Sequence, residues 1–190
     1  MLLIKNGTIL TMSGDPIENG QILMDEGKII SVGKDISIPE NCETVDAKGG
    51  FIMPGMIDAH CHVGMWEDGL GFEGADGNES TDPVTPQLRA IDAINPMDRS
   101  FVEAYENGVT CVCSGPGSSN VIGGQFTTIK TKGKRIDAMI LQQTAAMKVA
   151  FGENPKKCYS AKTQSPSTRM ATAAILREYI FKTKNYIENH

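Results

Sequence analysis

The stretch Pro54-Gly55-Met56-Ile57-Asp58-Ala59-His60-Cys61-His62 decides how this 190-residue chain is read. It is an apolar run with an abrupt polar end, the pattern of a strand that stops at a surface. Alternate side chains of a strand share a face, so Asp58, His60 and His62 point one way and Ala59 and Cys61 the other. Two imidazoles spaced this way at a strand end can chelate one metal ion, and neutral imidazole suits zinc, nickel or iron. Asp58, one step deeper, is placed to orient a ligand from the second shell. Cys61 faces away and is set aside as a ligand. The plainer alternative is a pair of strand-end histidines making surface hydrogen bonds.

Upstream, residues 1–55 read as short strands between turns. Residues 2–12 run into Ser13-Gly14-Asp15-Pro16, and residues 20–24 pass through Asp25-Glu26-Gly27 into residues 28–32. Acidic-Gly pairs mark hairpins, because glycine supplies the positive φ of a tight turn. With further strands at 42–46 and 50–53, this is a small all-β unit with too few strands to close a barrel.

Downstream, strand 56–62 is followed by a long loop over 64–95. Asp98 can cap a helix running to Glu106, Gly108 falls where a helix ends, and residues 109–113 form a β-branched strand. Strand, helix, strand with a tight return predicts a parallel βα unit. A Gly/Ser-rich loop at 114–124 precedes a hairpin over 125–132 and its return. Residues 138–150 read as a strand running into a short helix. Ser165-Pro166 reads as a helix start, with Met170, Ala174, Tyr179, Ile180 and Ile187 at helical spacing to the end.

Taken with Lys28-Ile29-Ile30-Ser31-Val32-Gly33 and Val45-Asp46-Ala47-Lys48-Gly49-Gly50, the 54–62 string resembles the amidohydrolase superfamily. The first barrel strand of that superfamily carries a Pro-Gly-x-Ile-Asp-x-His-x-His signature. Within that superfamily the chain is most similar to imidazolonepropionase-like and related amidohydrolases, and Asn120-Val121-Ile122-Gly123-Gly124-Gln125 and Phe151-Gly152-Glu153-Asn154-Pro155-Lys156 resemble motifs of one branch among them. The resemblance implies an α/β fold, with residues 56–190 as the first part of a metal-dependent (β/α)₈ TIM barrel. Residues 1–55 would contribute strands to a small β-sandwich domain, both domains being incomplete. Such barrels carry their sites at the C-terminal ends of the strands. The implied activity is hydrolysis of a C–N bond in a small-molecule amide, cyclic amide or dipeptide-like substrate. A divalent metal, zinc first with iron, nickel or manganese as alternatives, would activate the attacking water.

In this superfamily the strand-one histidines are joined by a lysine or glutamate, two later histidines and a late aspartate acting as general base. Only His60 and His62 match here, because His190 is the sole other histidine. Lys148 and Glu153 are the candidates for the bridging ligand, against readings as a solvated helix lysine and a loop carboxylate. Trp66 and Gln125 are candidates for substrate-facing loops. Two imidazoles leave a tetrahedral ion half coordinated, and catalytic zinc takes three protein ligands. The residues after Pro54 also fall short of the ~250 of such a barrel. The expectation is an inactive, truncated portion of an enzyme, completed by a C-terminal half or by self-association. The alternative is a non-catalytic metal-binding or interaction protein on a partial scaffold.

A hydrophobic share of 40% and a charged share of 22% are those of a globular protein. A net charge of −5 argues against nucleic-acid binding. No apolar run reaches the ~18 residues of a membrane span. Cys42, Cys61, Cys111, Cys113 and Cys158 form an odd, irregular set, read as reduced thiols in a cytoplasmic protein. The loop acids Glu67, Asp68, Glu73, Asp76, Glu79 and Asp82 read as a solvated surface, or as a lid favouring a cationic substrate. The glycines of 115–124 lack the Gly-Lys-Ser/Thr ending of a phosphate loop.

Overall fold

In the computed structural model, which describes residues 1–190, Glu26 and Gly27 both adopt positive φ, 46° and 75°. That is the backbone of a two-residue hairpin turn. It pairs β2 (Ile17–Asp25) with β3 (Lys28–Gly33) antiparallel, with Asp25 opposite Lys28. On its other side β2 pairs antiparallel with β1 (Leu2–Ile9). Two short strands, β4 (Glu43–Asp46) and β5 (Phe51–Ile52), then run parallel to β1 along its length. Residues Met1–Gly55 thus form one five-stranded sheet and a compact unit of their own. Leu3, Ile9, Ile22 and Leu23 are buried within it.

The second compact unit is Met56–His190. It opens with β6 (Met56–Cys61), α1 (Arg99–Glu106) and β7 (Val109–Ser114). The Asp98 carboxylate accepts from the Ser100 N–H at 2.8 Å, capping α1, and Gly108 follows the helix at φ 86°. Both ends of α1 therefore form as the residue types predict. Strands β6 and β7 pair parallel, so the expected βα unit is present. Phe101 of α1 packs with Met65, Ile94, Val112, Ile129 and Met139 in the main core, and Cys61 and Val63 lie against it.

Next come β8 (Ile122–Lys130), a single turn α2 (Ile136–Met139) and β9 (Ile140–Val149). The four strands lie in the order β6-β7-β8-β9, with β8 antiparallel to both neighbours. Connection length explains the reversal. Parallel neighbours need a crossover of about a dozen residues or more, and the links at 115–121 and 131–139 are too short. The expected order of elements in 138–150 is inverted, because the helical turn comes first and residues 140–149 are all strand. Six register pairs with β8 hold them extended.

The unit ends with α3 (Glu153–Ser160) and α4 (Arg169–Asn189). Thr168, not Ser165-Pro166, starts the last helix, its hydroxyl accepting from the Ala171 N–H at 3.1 Å. Its inward face also differs from the expected one. Thr172 is buried, and Ile175, Leu176 and Tyr179 pack on Val84, Val121 and Ile122. Met170, Ile180 and Ile187 are exposed. Many positions of α4 are apolar, so periodicity alone does not choose the stripe that meets the sheet. No helix is long and apolar enough to cross a membrane.

Candidate metal centre

Two successive antiparallel pairings make β9 run in the direction of β6 and β7. The C-terminal ends of β6, β7 and β9 therefore reach one edge of the sheet, with the start of β8 between them. His60, His62, Gly115 and Lys148 all fall at this edge.

The rings of His60 and His62 meet edge to face, with centroids 5.4 Å apart. His62 Nδ1 lies 2.7 Å from the carbonyl oxygen of Gly115. A carbonyl only accepts, so Nδ1 carries the proton and Nε2 keeps its lone pair. That is the tautomer a metal-binding histidine uses, with the outer hydrogen bond fixing the ring. Gly115 follows β7 directly, and the Cys61–Ser114 register pair brings its carbonyl beside His62.

Asp58 does not orient an imidazole. Its carboxylate accepts from the backbone N–H of His60 at 3.0 Å, so it shapes the strand end instead. Cys61 turns away from the pair, against the core. Burial holds its thiol above the ordinary range, which keeps it protonated and a poor ligand. The ring of Trp66 stands edge-on to His62, 5.4 Å between centroids, and walls one side of the pair. Gly77 makes room for it, because a Cβ there would lie 1.9 Å from the indole.

Gln125 is a strand residue of β8, not a loop residue. Its amide nitrogen donates to the Pro86 carbonyl at 3.1 Å and its oxygen accepts from Thr144 Oγ1 at 3.1 Å. Both ends of the side chain are thereby used to tie β8 to its neighbours. Lys148 is neither helical nor fully solvated. It sits half-buried on β9 opposite Gly124, and burial lowers its pKa. Its Nζ lies 5.9 Å from the ring centroid of Phe126, the same ring that contacts both histidines. Glu153 is the exposed first residue of α3, with no ion pair or side-chain hydrogen bond. His190 stacks on Tyr186 at the end of α4, 4.4 Å between centroids.

Gly77, Gly115 and Phe126 carry no signal of their own in the sequence, because glycine in a loop and phenylalanine in a strand have ordinary explanations. Only the strand order brings them to the histidines. The acidic loop is partly spent on itself. Glu79 accepts from Thr81, Asp82 from the Val84 N–H, and Asp92 pairs with Arg89 at 2.8 Å. Asp76 and Glu79 line a cleft with Met65, Asn78 and Arg89. In the glycine-rich loop, the Gly117 and Ser119 amides donate to Gly77 O and Asn78 Oδ1, so these two donors face protein.

No family model matches the chain. It is 33% identical over 166 residues to "Amidohydrolase tasK" of Hapsidospora irregularis, covering 80% of this chain and 17% of that protein. It is 40% identical over 120 residues to a 5'-deoxyadenosine deaminase of Methanosarcina acetivorans, covering 57% of this chain and 26% of that one. A crystal structure of an amidohydrolase from Thermotoga maritima MSB8 superposes on the whole chain with a TM-score of 0.94 and 43% identity. The chain spans 49% of that structure, and still less of the two relatives.

Proposed function

The chain belongs to the amidohydrolase superfamily, and from that membership we propose that it serves metal-dependent hydrolysis of a C–N bond, with His60 and His62 as ligands of a divalent ion. Zinc is the first choice, with iron, nickel or manganese as alternatives. The substrate class is a small amide, cyclic amide or dipeptide-like molecule. In this reading residues 56–190 are the first part of a (β/α)₈ barrel and residues 1–55 contribute to a small β-sandwich. A cytoplasmic setting belongs to the same reading, supported by five free cysteines.

The observation that carries the proposal is the His62 Nδ1 contact to the Gly115 carbonyl, 2.7 Å long, at the end of the strand that also bears His60. His60 and His62 supply two of the donors such an ion needs, and no group of three or more His, Cys, Asp or Glu side chains is gathered in this chain. Two imidazoles side by side, one held in the ligating tautomer, suit a borderline metal. Lys148 is the first candidate for a further ligand, because its Nζ lies over the same Phe126 ring that both imidazoles approach. The exposed Glu153 is the weaker candidate for that place. When bound, the ion would polarise a carbonyl and lower the pKa of a coordinated water.

The chain's own residues prepare the place. The Gly115 carbonyl holds the Nδ1 proton, so Nε2 stays available. Phe126 packs against both imidazoles and Trp66 against that of His62. Asp58 fixes the backbone at His60. The likeness to one branch of the imidazolonepropionase-like and related amidohydrolases rests on two short strings, while the relatives named above are an amidohydrolase and a deaminase.

The test pairs metal analysis of the purified chain with hydrolysis of a panel of N-acyl amino acids, cyclic amides and aminopurines. Zinc or cobalt bound in proportion to protein, and lost in His60→Ala/His62→Ala, is expected. Metal retained without turnover of any substrate would favour the non-catalytic reading. Equal metal content in the double variant would remove the histidines from the site.

A further inference from the structure

We infer that Phe126 is the positioning residue of this centre, the single apolar surface against which both histidines and Lys148 are set; the inference rests on the metal-site reading above. The Phe126 ring centroid is 5.3 Å from that of His60, 6.3 Å from that of His62 and 5.9 Å from Lys148 Nζ. These three donors come from β6, the residue just beyond it and β9. None is near residue 126 in sequence.

The sheet register explains how one ring reaches all three. Phe126 stands opposite Ala146, and Gly124 stands opposite Lys148. Strand β7 separates β8 from β6, but it ends at Ser114. Gly115 comes next, and a Cβ there would lie 2.3 Å from the phenyl ring. The missing side chain at 115 opens the lane through which Phe126 reaches the histidines. The carbonyl of that same glycine takes the His62 Nδ1 proton. The ring is nearly fully buried, so packing holds its orientation.

A phenyl ring is suited to this place for a chemical reason. It has no hydrogen-bonding group to compete for the free imidazole nitrogens or for the amine. A hydrophobic shell of this kind controls solvent access and dielectric at a metal site, and outer partners typically carry 10–100-fold in metal affinity. The ring also limits where the two imidazoles can go, because it packs against both.

The experiment uses the whole chain, cobalt(II) as the probe, and the variants Phe126→Leu, Phe126→Met and His60→Ala/His62→Ala. Circular dichroism and thermal melting establish which variants fold. The expected result is cobalt binding weakened roughly tenfold or more in the folded Leu or Met variant. The visible cobalt band should change shape, and the His62 ring ¹⁵N signals in the metal-free protein should show loss of the single Nδ1–H tautomer. A purely structural role would leave the last two readouts as they are. A folded variant with the affinity, band and tautomer of the unaltered chain overturns the inference and leaves the metal reading standing. No cobalt binding by the unaltered chain, or binding that survives in the double histidine variant, overturns both. Should neither Phe126 variant fold, the unaltered chain decides with ring-labelled phenylalanine. The Phe126 ring protons must move on cobalt addition, and their failure to do so sinks the proposal.

Discussion

Tyr159 is fully buried, and its hydroxyl donates to Asn120 Oδ1, while Asn120 donates to Thr85 Oγ1 at 2.8 Å. Burial also holds the phenol well above its ordinary range, so it remains a donor at any working pH. Tyr159→Phe would leave a buried carboxamide oxygen without a partner, at a cost of about 1–3 kcal/mol; urea unfolding should show the midpoint fall with little change in slope. Lys148 is the opposite case, a half-buried cation that packing disfavours. Its native pKa lies below the ordinary 10.5, so the unfolded chain binds more protons between the two values. Stability should therefore rise with pH across that window. Lys148→Met should melt higher than the parent at pH 7, and the gain should vanish above pH 10.5. An unchanged gain at high pH would mean that packing, not charge, is responsible. Asp58 and Gln125 show how a residue chosen from sequence is decided by its neighbours. Both are near the site, yet the groups that carry chemistry are bonded to backbone or to Thr144.

At the scale of elements, local chemistry sets several boundaries. Asp98 is buried and bonds both the amide and the hydroxyl of Ser100, so Asp98→Ala should cost about 1 kcal/mol as a lost cap. Hydrogen exchange in α1 should speed up first. The hairpin at Glu26-Gly27 and the end of α1 at Gly108 were legible for the same reason, since positive φ narrows the choice of residue. The start of α4 was not. Proline at 166 is a permitted helix opener, and only the Thr168 cap distinguishes the actual start. The order of elements in 138–150 was hidden as well, because alternation there is weak and β8 supplies the pairing that makes residues 140–149 extended. Loop and site meet at Trp66, the only tryptophan of the chain. Gly77→Ala would place a methyl in the indole, so the emission maximum should shift to the red and quenching by His62 should change. A spectrum identical to the parent's would show that Trp66 does not sit against Gly77.

At the scale of the molecule, β6 and β9 are the outer strands of the second sheet, and Ile57 and Leu141 on them are exposed. Phe181 and Ile187 add apolar surface on α4. Exposed apolar side chains at sheet edges and on a helix promote association, so sedimentation should show mass increasing with concentration. Ile187→Lys together with Phe181→Glu should reduce it; an ideal monomer at all concentrations would refute this. The two compact units and the α/β class follow from features that act over a few residues: strand alternation, turn glycines and the Asp98 cap. The same local reading placed His60 and His62 on one face, since β periodicity needs no partner strand. What only the tertiary structure decided is the direction of β8, and with it the meeting of Gly115 and Phe126 with the histidines and of Lys148 with Phe126. Strand order and register arise from pairings between distant residues, such as Gly124 with Lys148. Each such pairing depends on both segments at once, so neither segment read alone contains it.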